Sequence, residues 1–135
     1  MNILERNLTY LAVPYAHDDV SVRKNRFELV SKVGAWLISN GHVVYSPITH
    51  CHPMAKYGLP EGWQFWQHMD IPYLQYTRLF IVLPLEGWRS SVGLKAELAE
   101  AKRLELPIAY VSGNLKSCDH QSLTLKWTPP AQAFK

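Results

Sequence analysis

The chain has 135 residues, 47% of them hydrophobic and 19% charged, with a formal net charge of +3. This length fits one globular domain, excludes two large ones, and lets an ordinary core form without disulfides or a structural metal. The charge comes with no dense basic run, so it favours small anionic partners over duplex nucleic acid, and no apolar run nears about 18 residues, so no membrane span is expected.

Leu8 to Val13 is an apolar, β-branched and aromatic run stopped by Pro14, which predicts a first strand. A helix follows, with Asp19 or Ser21 as its cap, Phe27, Val30, Gly34, Leu37 and Ile38 at helical spacing, and Asn40-Gly41 as its stop. His42 to Tyr45 predicts a short second strand ended by Pro47. Pro53 and Pro60 then predict about fifteen irregular residues, a long loop of the kind that often carries function. A helix is expected from about Gly62 to Tyr76, restarting at Asp70-Ile71-Pro72, where Asp70 would be an N-cap and Pro72 would lie in the first turn. Arg78 to Pro84 is nearly all apolar, as in strands buried on both faces of a parallel sheet. Ser90 or Ser91 caps a helix to about Leu104, Ile108 to Val111 gives a fourth strand, and Leu123 to Trp127 could form a fifth at an edge.

Strands alternating with helices at this pitch predict a right-handed βαβ array. The fold class is α/β: a single-domain, open, mainly parallel sheet of Rossmann or flavodoxin type, four or five strands, with helices on both faces. The domain is expected over residues 1–127, followed by a flexible tail at 128–135. Cys51 and Cys118 form no CxxC pair and no signal peptide is evident, so a reducing, cytoplasmic setting is expected.

The ligand site of such a sheet lies beyond the carboxyl ends of its strands. After the third strand, Ser90-Ser91-Val92-Gly93 opens a helix whose free N–H groups and dipole suit an anion, and Glu97 lies one turn beyond Gly93 on the same face. Alternatively, Ser91 only caps, Gly93 packs on the sheet, and Glu97 is a solvated acid beside Glu100. Asp70 and Glu97 converging on one pocket would suit acid/base and nucleophilic chemistry, as in retaining glycosyl transfer. Arg23, Lys24 and Arg26 form either a solvated basic face or a phosphate contact. His50-Cys51-His52 lacks a supporting HExxH or paired CxxC, so no metal is expected. Without GxGxxG, GxxxxGK[ST] or GxSxG, no cofactor is expected and an esterase-type elbow has no support.

Three segments in order, Tyr10-Leu11-Ala12-Val13-Pro14-Tyr15, Asp70-Ile71-Pro72-Tyr73-Leu74-Gln75-Tyr76 and Ser91-x-Gly93-x-x-x-Glu97-Leu98-x-x-Ala101, resemble the nucleoside 2-deoxyribosyltransferase superfamily, especially its 2'-deoxynucleoside 5'-monophosphate N-glycosidase branch. The resemblance spans roughly residues 8 to 111. It implies that Glu97 is the nucleophile at the anomeric carbon, that Asp70 helps protonate the departing base, that Tyr10 stands beside the nucleophile and that Ser91 meets the 5' end or phosphate. Ser90, Gly93, Pro14, Tyr15, Trp63, Trp88 and Arg23 are further candidates for substrate binding, with Trp63, Trp66 or Tyr15 stacking on the base. The implied activity is cleavage of an N-glycosidic bond, by hydrolysis or by transfer to a second base, in a homo-oligomer (dimer or tetramer). Lys95, Arg78 and Pro14 depart from the family pattern, and Lys95 and Arg78 motivate an alternative, a non-catalytic nucleotide-binding or sensing module. A structural or interaction protein, suggested by five tryptophans, is the third reading.

Overall fold

A computed structural model describes residues 7–128. Five strands, β1 (Leu8–Ala12), β2 (Val43–Tyr45), β3 (Thr77–Val82), β4 (Ile108–Ser112) and β5 (Thr124–Trp127), form one sheet of order β2-β1-β3-β4-β5. The first four are parallel, and β5 closes one edge antiparallel to β4. This is the flavodoxin-like order with a reversed edge strand.

The central strands are mostly apolar because helices cover both faces. Leu11, Val13, Ile81, Leu83, Ala109 and Val111 point to one face and pack with Leu29, Val30, Val33 and Leu37 of helix α1 (Val20–Ser39). Tyr10, Ala12, Phe80, Val82 and Ile108 point to the other, against Leu74 of α3 (Trp63–Gln75) and Leu94 and Ala101 of α4 (Val92–Arg103). At roughly 25 cal/mol per Å² of buried apolar surface, these two layers supply the main driving force for folding.

The helix starts follow side-chain capping. Asp19, not Ser21, caps α1 by accepting from the Ser21 N–H at 2.8 Å, and Ser91 rather than Ser90 caps α4 by accepting from the Leu94 N–H at 3.3 Å. Two expectations are corrected. The proline-rich stretch after β2 is not irregular: Pro47–Ala55 is helix α2, since Pro47 occupies the first turn, where a missing N–H costs nothing, and Pro53 falls in the last turn. Helix α3 also runs unbroken through Asp70, so Asp70 is an interior residue and not an N-cap, and Pro72 is carried inside the helix.

Most of the expected tail lies outside the described residues, as do residues 1–6. Thr128 itself is anchored, its N–H and hydroxyl both donating to the Ile108 carbonyl, at 2.9 and 3.0 Å. Among the described residues, no helix is long and apolar enough to cross a membrane.

Candidate active site

In a sheet of this order, the crevice opens where the crossovers from β1 and β3 leave in opposite directions. Its rim is formed by residues 13–19 and 83–91. Arg26, in the second turn of α1, ties these two segments together: Nη1 donates to the Ala16 carbonyl at 3.2 Å and Nη2 to the Glu86 carbonyl at 2.8 Å. The side chain is buried. Gly87 turns beside it with φ +87°, where a Cβ would stand 3.2 Å from Nη2, so glycine serves both the left-handed turn and the close approach. Arg26 is therefore a brace between loops and not part of a solvated face.

Tyr10, Glu97 and Asp70 are brought together on the α3/α4 side of the sheet. Tyr10 is fully buried, its ring stacked on Phe80 at 5.4 Å, and its hydroxyl donates to Glu97 Oε2. Helix α4 turns Leu94, Glu97 and Ala101 inward and α3 turns Asp70 and Leu74 inward, so each carboxyl occupies a place that helical spacing normally gives to a hydrophobe. Both carboxyls are 5% exposed. Burial pushes Asp70 up to about 7. Glu97 rises to about 8, through burial and then the charge of Asp70, while the Tyr10 hydrogen bond favours its ionised form. Both carboxyls are therefore raised toward neutrality, Asp70 by burial alone and Glu97 by burial and the neighbouring charge. Their surroundings respond in kind: burial, with the Asp70 charge added, raises Tyr45 and pushes Cys51 up to about 11, and burial followed by the charges of Glu97 and Asp70 raises Tyr10.

Tyr45 is a member of this group that sequence reasoning missed. It is the register partner of Tyr10 on the adjacent strand, with ring centroids 5.7 Å apart, and Tyr73 stacks on its ring at 3.7 Å. Its hydroxyl, Asp70 Oδ1 and Ser46 Oγ are buried with no hydrogen-bond partner. Such groups are expensive to bury without a partner. A tyrosine ending a strand beside a candidate catalytic tyrosine was the available signal.

The other candidate residues spread around the rim. Trp63, in the first turn of α3, sits over α4: a Cβ on Gly93 would touch its ring at 3.8 Å. Ser90 is spent on the Gly87 carbonyl at 3.0 Å. Trp88 lies against Tyr110 at 5.5 Å with Arg89 above it, Pro14 is buried, and Arg23 donates to the His17 carbonyl. Tyr15 shares a hydrogen bond with His52 Nδ1, whose ring stacks on Phe27 at 4.2 Å, while Trp66 Nε1 donates to the Pro60 carbonyl at 2.9 Å. Of these, Trp63, Gly93 and Ser91 lie together at the start of α4, whereas Arg23 and the Trp88–Tyr110 pair engage other neighbours. Lys95 is exposed, and Arg78 is exposed at the amino end of β3, opposite the rim. His50 is exposed and leans on Tyr45, so it and His52 serve aromatic packing; among the described residues no group of three His, Cys, Asp or Glu could hold a metal ion.

Residues 7–112 match the family model described as Domain of unknown function (DUF1937), and the chain belongs to that family. No protein of curated function matches the chain. The matched span runs from just before β1 to the end of β4, so it includes Tyr10, Asp70 and Glu97.

Proposed function

We propose that this DUF1937 member cleaves the N-glycosidic bond of a nucleoside or nucleoside 5'-monophosphate, with Glu97 as nucleophile and Asp70 as acid. The observation that carries the reading is the buried pair itself: two carboxyls on facing helices, the charge of Asp70 acting on Glu97, and Glu97 bonded to a buried tyrosine of the central sheet. It is joined by the resemblance of three ordered segments to the nucleoside 2-deoxyribosyltransferase superfamily.

A purine or pyrimidine leaves poorly as an anion, and the sugar left behind develops oxocarbenium character. Asp70, held protonated toward neutrality by burial, can hand its proton to the departing base. Burial holds the pair's proton more tightly on Glu97 than on Asp70 in the free protein, so the reactive form is the minor one, in which Asp70 keeps the proton and Glu97, its charge favoured by the Tyr10 hydrogen bond, bonds to the anomeric carbon on the opposite face. Water, or a second base, attacks that carbon next, expels the Glu97 carboxylate and completes hydrolysis or transfer. The open first turn of α4, with Ser91 as its cap and no side chain on Gly93, suits a 5'-phosphate, and Trp63 beside it suits stacking on a base. A dimer or tetramer accompanies this reading, with exposed Met54, Tyr57, Leu59 and Phe65 as apolar surface for the contact.

The test is to incubate the protein with a panel of nucleosides and 5'-monophosphates and follow free base by chromatography, alongside Glu97→Ala. Base release that disappears in the variant is expected. Release that survives the substitution, or none from the wild type, overturns the mechanism. A nucleotide that raises the melting temperature without turnover would instead favour a binding or sensing module.

A further inference from the structure

Two tyrosine and carboxyl groups face one another in the buried cluster, and they are not equivalent. Tyr10 and Glu97 satisfy each other. Tyr45 and Asp70 do not: the Tyr45 hydroxyl and Asp70 Oδ1 are both buried and both without a partner, and Tyr45 stacks on Tyr73, one turn after Asp70 on α3, which brings the two groups to the same side of that helix. Tyr45 cannot easily turn away, because Tyr73 is stacked on its ring at 3.7 Å and Tyr10 lies 5.7 Å off on the neighbouring strand. Asp70 is likewise fixed, projecting from the middle of a helix that is packed against α4. A rigid donor and a rigid acceptor that do not bond directly are matched by one small group able to accept from the phenol and donate to the carboxyl. A water molecule meets that description, and buried waters characteristically satisfy two to four such groups.

We propose that Tyr45 and Asp70 form a water-binding subsite, and that the water they hold is the acceptor in hydrolysis. This rests on the glycosidase reading above. After the base has left with the Asp70 proton, Asp70 is a carboxylate with Oδ1 aimed at this water. The water oxygen forms a bond to the anomeric carbon as the bond from that carbon to Glu97 breaks. The electron pair returns to the Glu97 carboxylate, and the water proton passes to Asp70, which restores the starting state. Tyr45 takes no proton; it orients the water. Transfer to a second base needs no water, so the subsite biases the protein toward hydrolysis.

The test has two arms, both using Tyr45→Phe, which keeps the stacked ring. In crystal structures of the free proteins, the wild type should show one ordered water within about 3.2 Å of both Tyr45 Oη and Asp70 Oδ1, and the variant should lose it. A direct bond between Tyr45 and Asp70, or no density between them, overturns the subsite. With a 2'-deoxynucleoside 5'-monophosphate and labelled free adenine, hydrolysis should fall about tenfold in the variant while base exchange falls much less, the scale expected for one lost hydrogen bond. An equal decline in both overturns the acceptor role. A wild type that releases no base overturns that role together with the glycosidase reading, and the crystal structures then still decide the subsite separately.

Discussion

Replacing Glu97 by Gln tests the electrostatic account of the buried pair without relying on any substrate. Gln keeps the shape and can still accept from the Tyr10 hydroxyl, but it cannot ionise. In the wild type, the Glu97 carboxyl ionises near 4.5 when the chain is unfolded and at about 8 when it is folded. Because the folded value is the higher, the neutral acid's contribution is fully present below pH 4.5 and is lost as pH rises toward 8. At about 1.4 kcal/mol per pH unit the full loss is on the order of 5 kcal/mol, and relaxation and water entry reduce it, so about 2 kcal/mol is a fair threshold. Urea unfolding of both proteins at intervals from pH 4.5 to 9 measures it. Wild-type stability should decline by at least that much more than the variant's over this range. Parallel profiles for the two proteins would refute the claim that Glu97 is buried as an acid.

If the pair works as proposed, kcat/KM should follow a narrow bell with its maximum between pH 7 and 8, where Asp70 and Glu97 together hold one proton; a flat profile from pH 5 to 9 would exclude them as the acid and nucleophile. Gly93→Ala has room, with the new Cβ 3.8 Å from Trp63, so it should raise stability by about 0.5–1 kcal/mol in thermal melts yet weaken nucleotide binding, because the methyl fills the open first turn of α4. Arg26→Met strands the Ala16 and Glu86 carbonyls and should cost about 2–4 kcal/mol in urea unfolding; a loss under 0.5 kcal/mol would deny it the role of a brace. Gly113→Ala should cost about 3 kcal/mol by the same measurement, since φ is +135° and the Cβ would stand 2.3 Å from the Ser122 carbonyl oxygen.

The parts of the fold that could be read from the chain are those where local chemistry and tertiary demand agree. The run around β3 is apolar because both its faces are covered, and α1 has both an acidic cap and an Asn-Gly stop. Helix α2 was hidden because Pro47 and Pro53 both signal breaks; Pro47 opens the helix, where proline is tolerated, and Pro53 is carried inside it near its end. Asp70 was obscured in a similar way: Pro72 two residues on imitates a first turn, while the packing of α3 against α4 carries the helix through. Glu97 lay within reach, since Leu94, Glu97 and Ala101 share one face. Arg26 was masked by its cationic neighbours, although Leu29 and Val30 at helical spacing marked its face as inward. Tyr45 offered only its place at the end of β2 as a signal, because its surroundings come from β1 and α3.

The sheet order also governs when the site comes into being. Strand β1 acquires one neighbour after β2, but the other is β3, paired through Leu8 and Thr77, and the bond between Tyr10 and Glu97 spans 87 residues. Contacts of such separation are slow to form. During synthesis, β1 therefore waits with one edge open until β3 has emerged, and the carboxyl partner of Tyr10 arrives later still. The proposed chemistry cannot precede the assembled sheet: a chain truncated before α4 can pair β1 with β3, yet lacks Glu97, the partner that Tyr10 bonds.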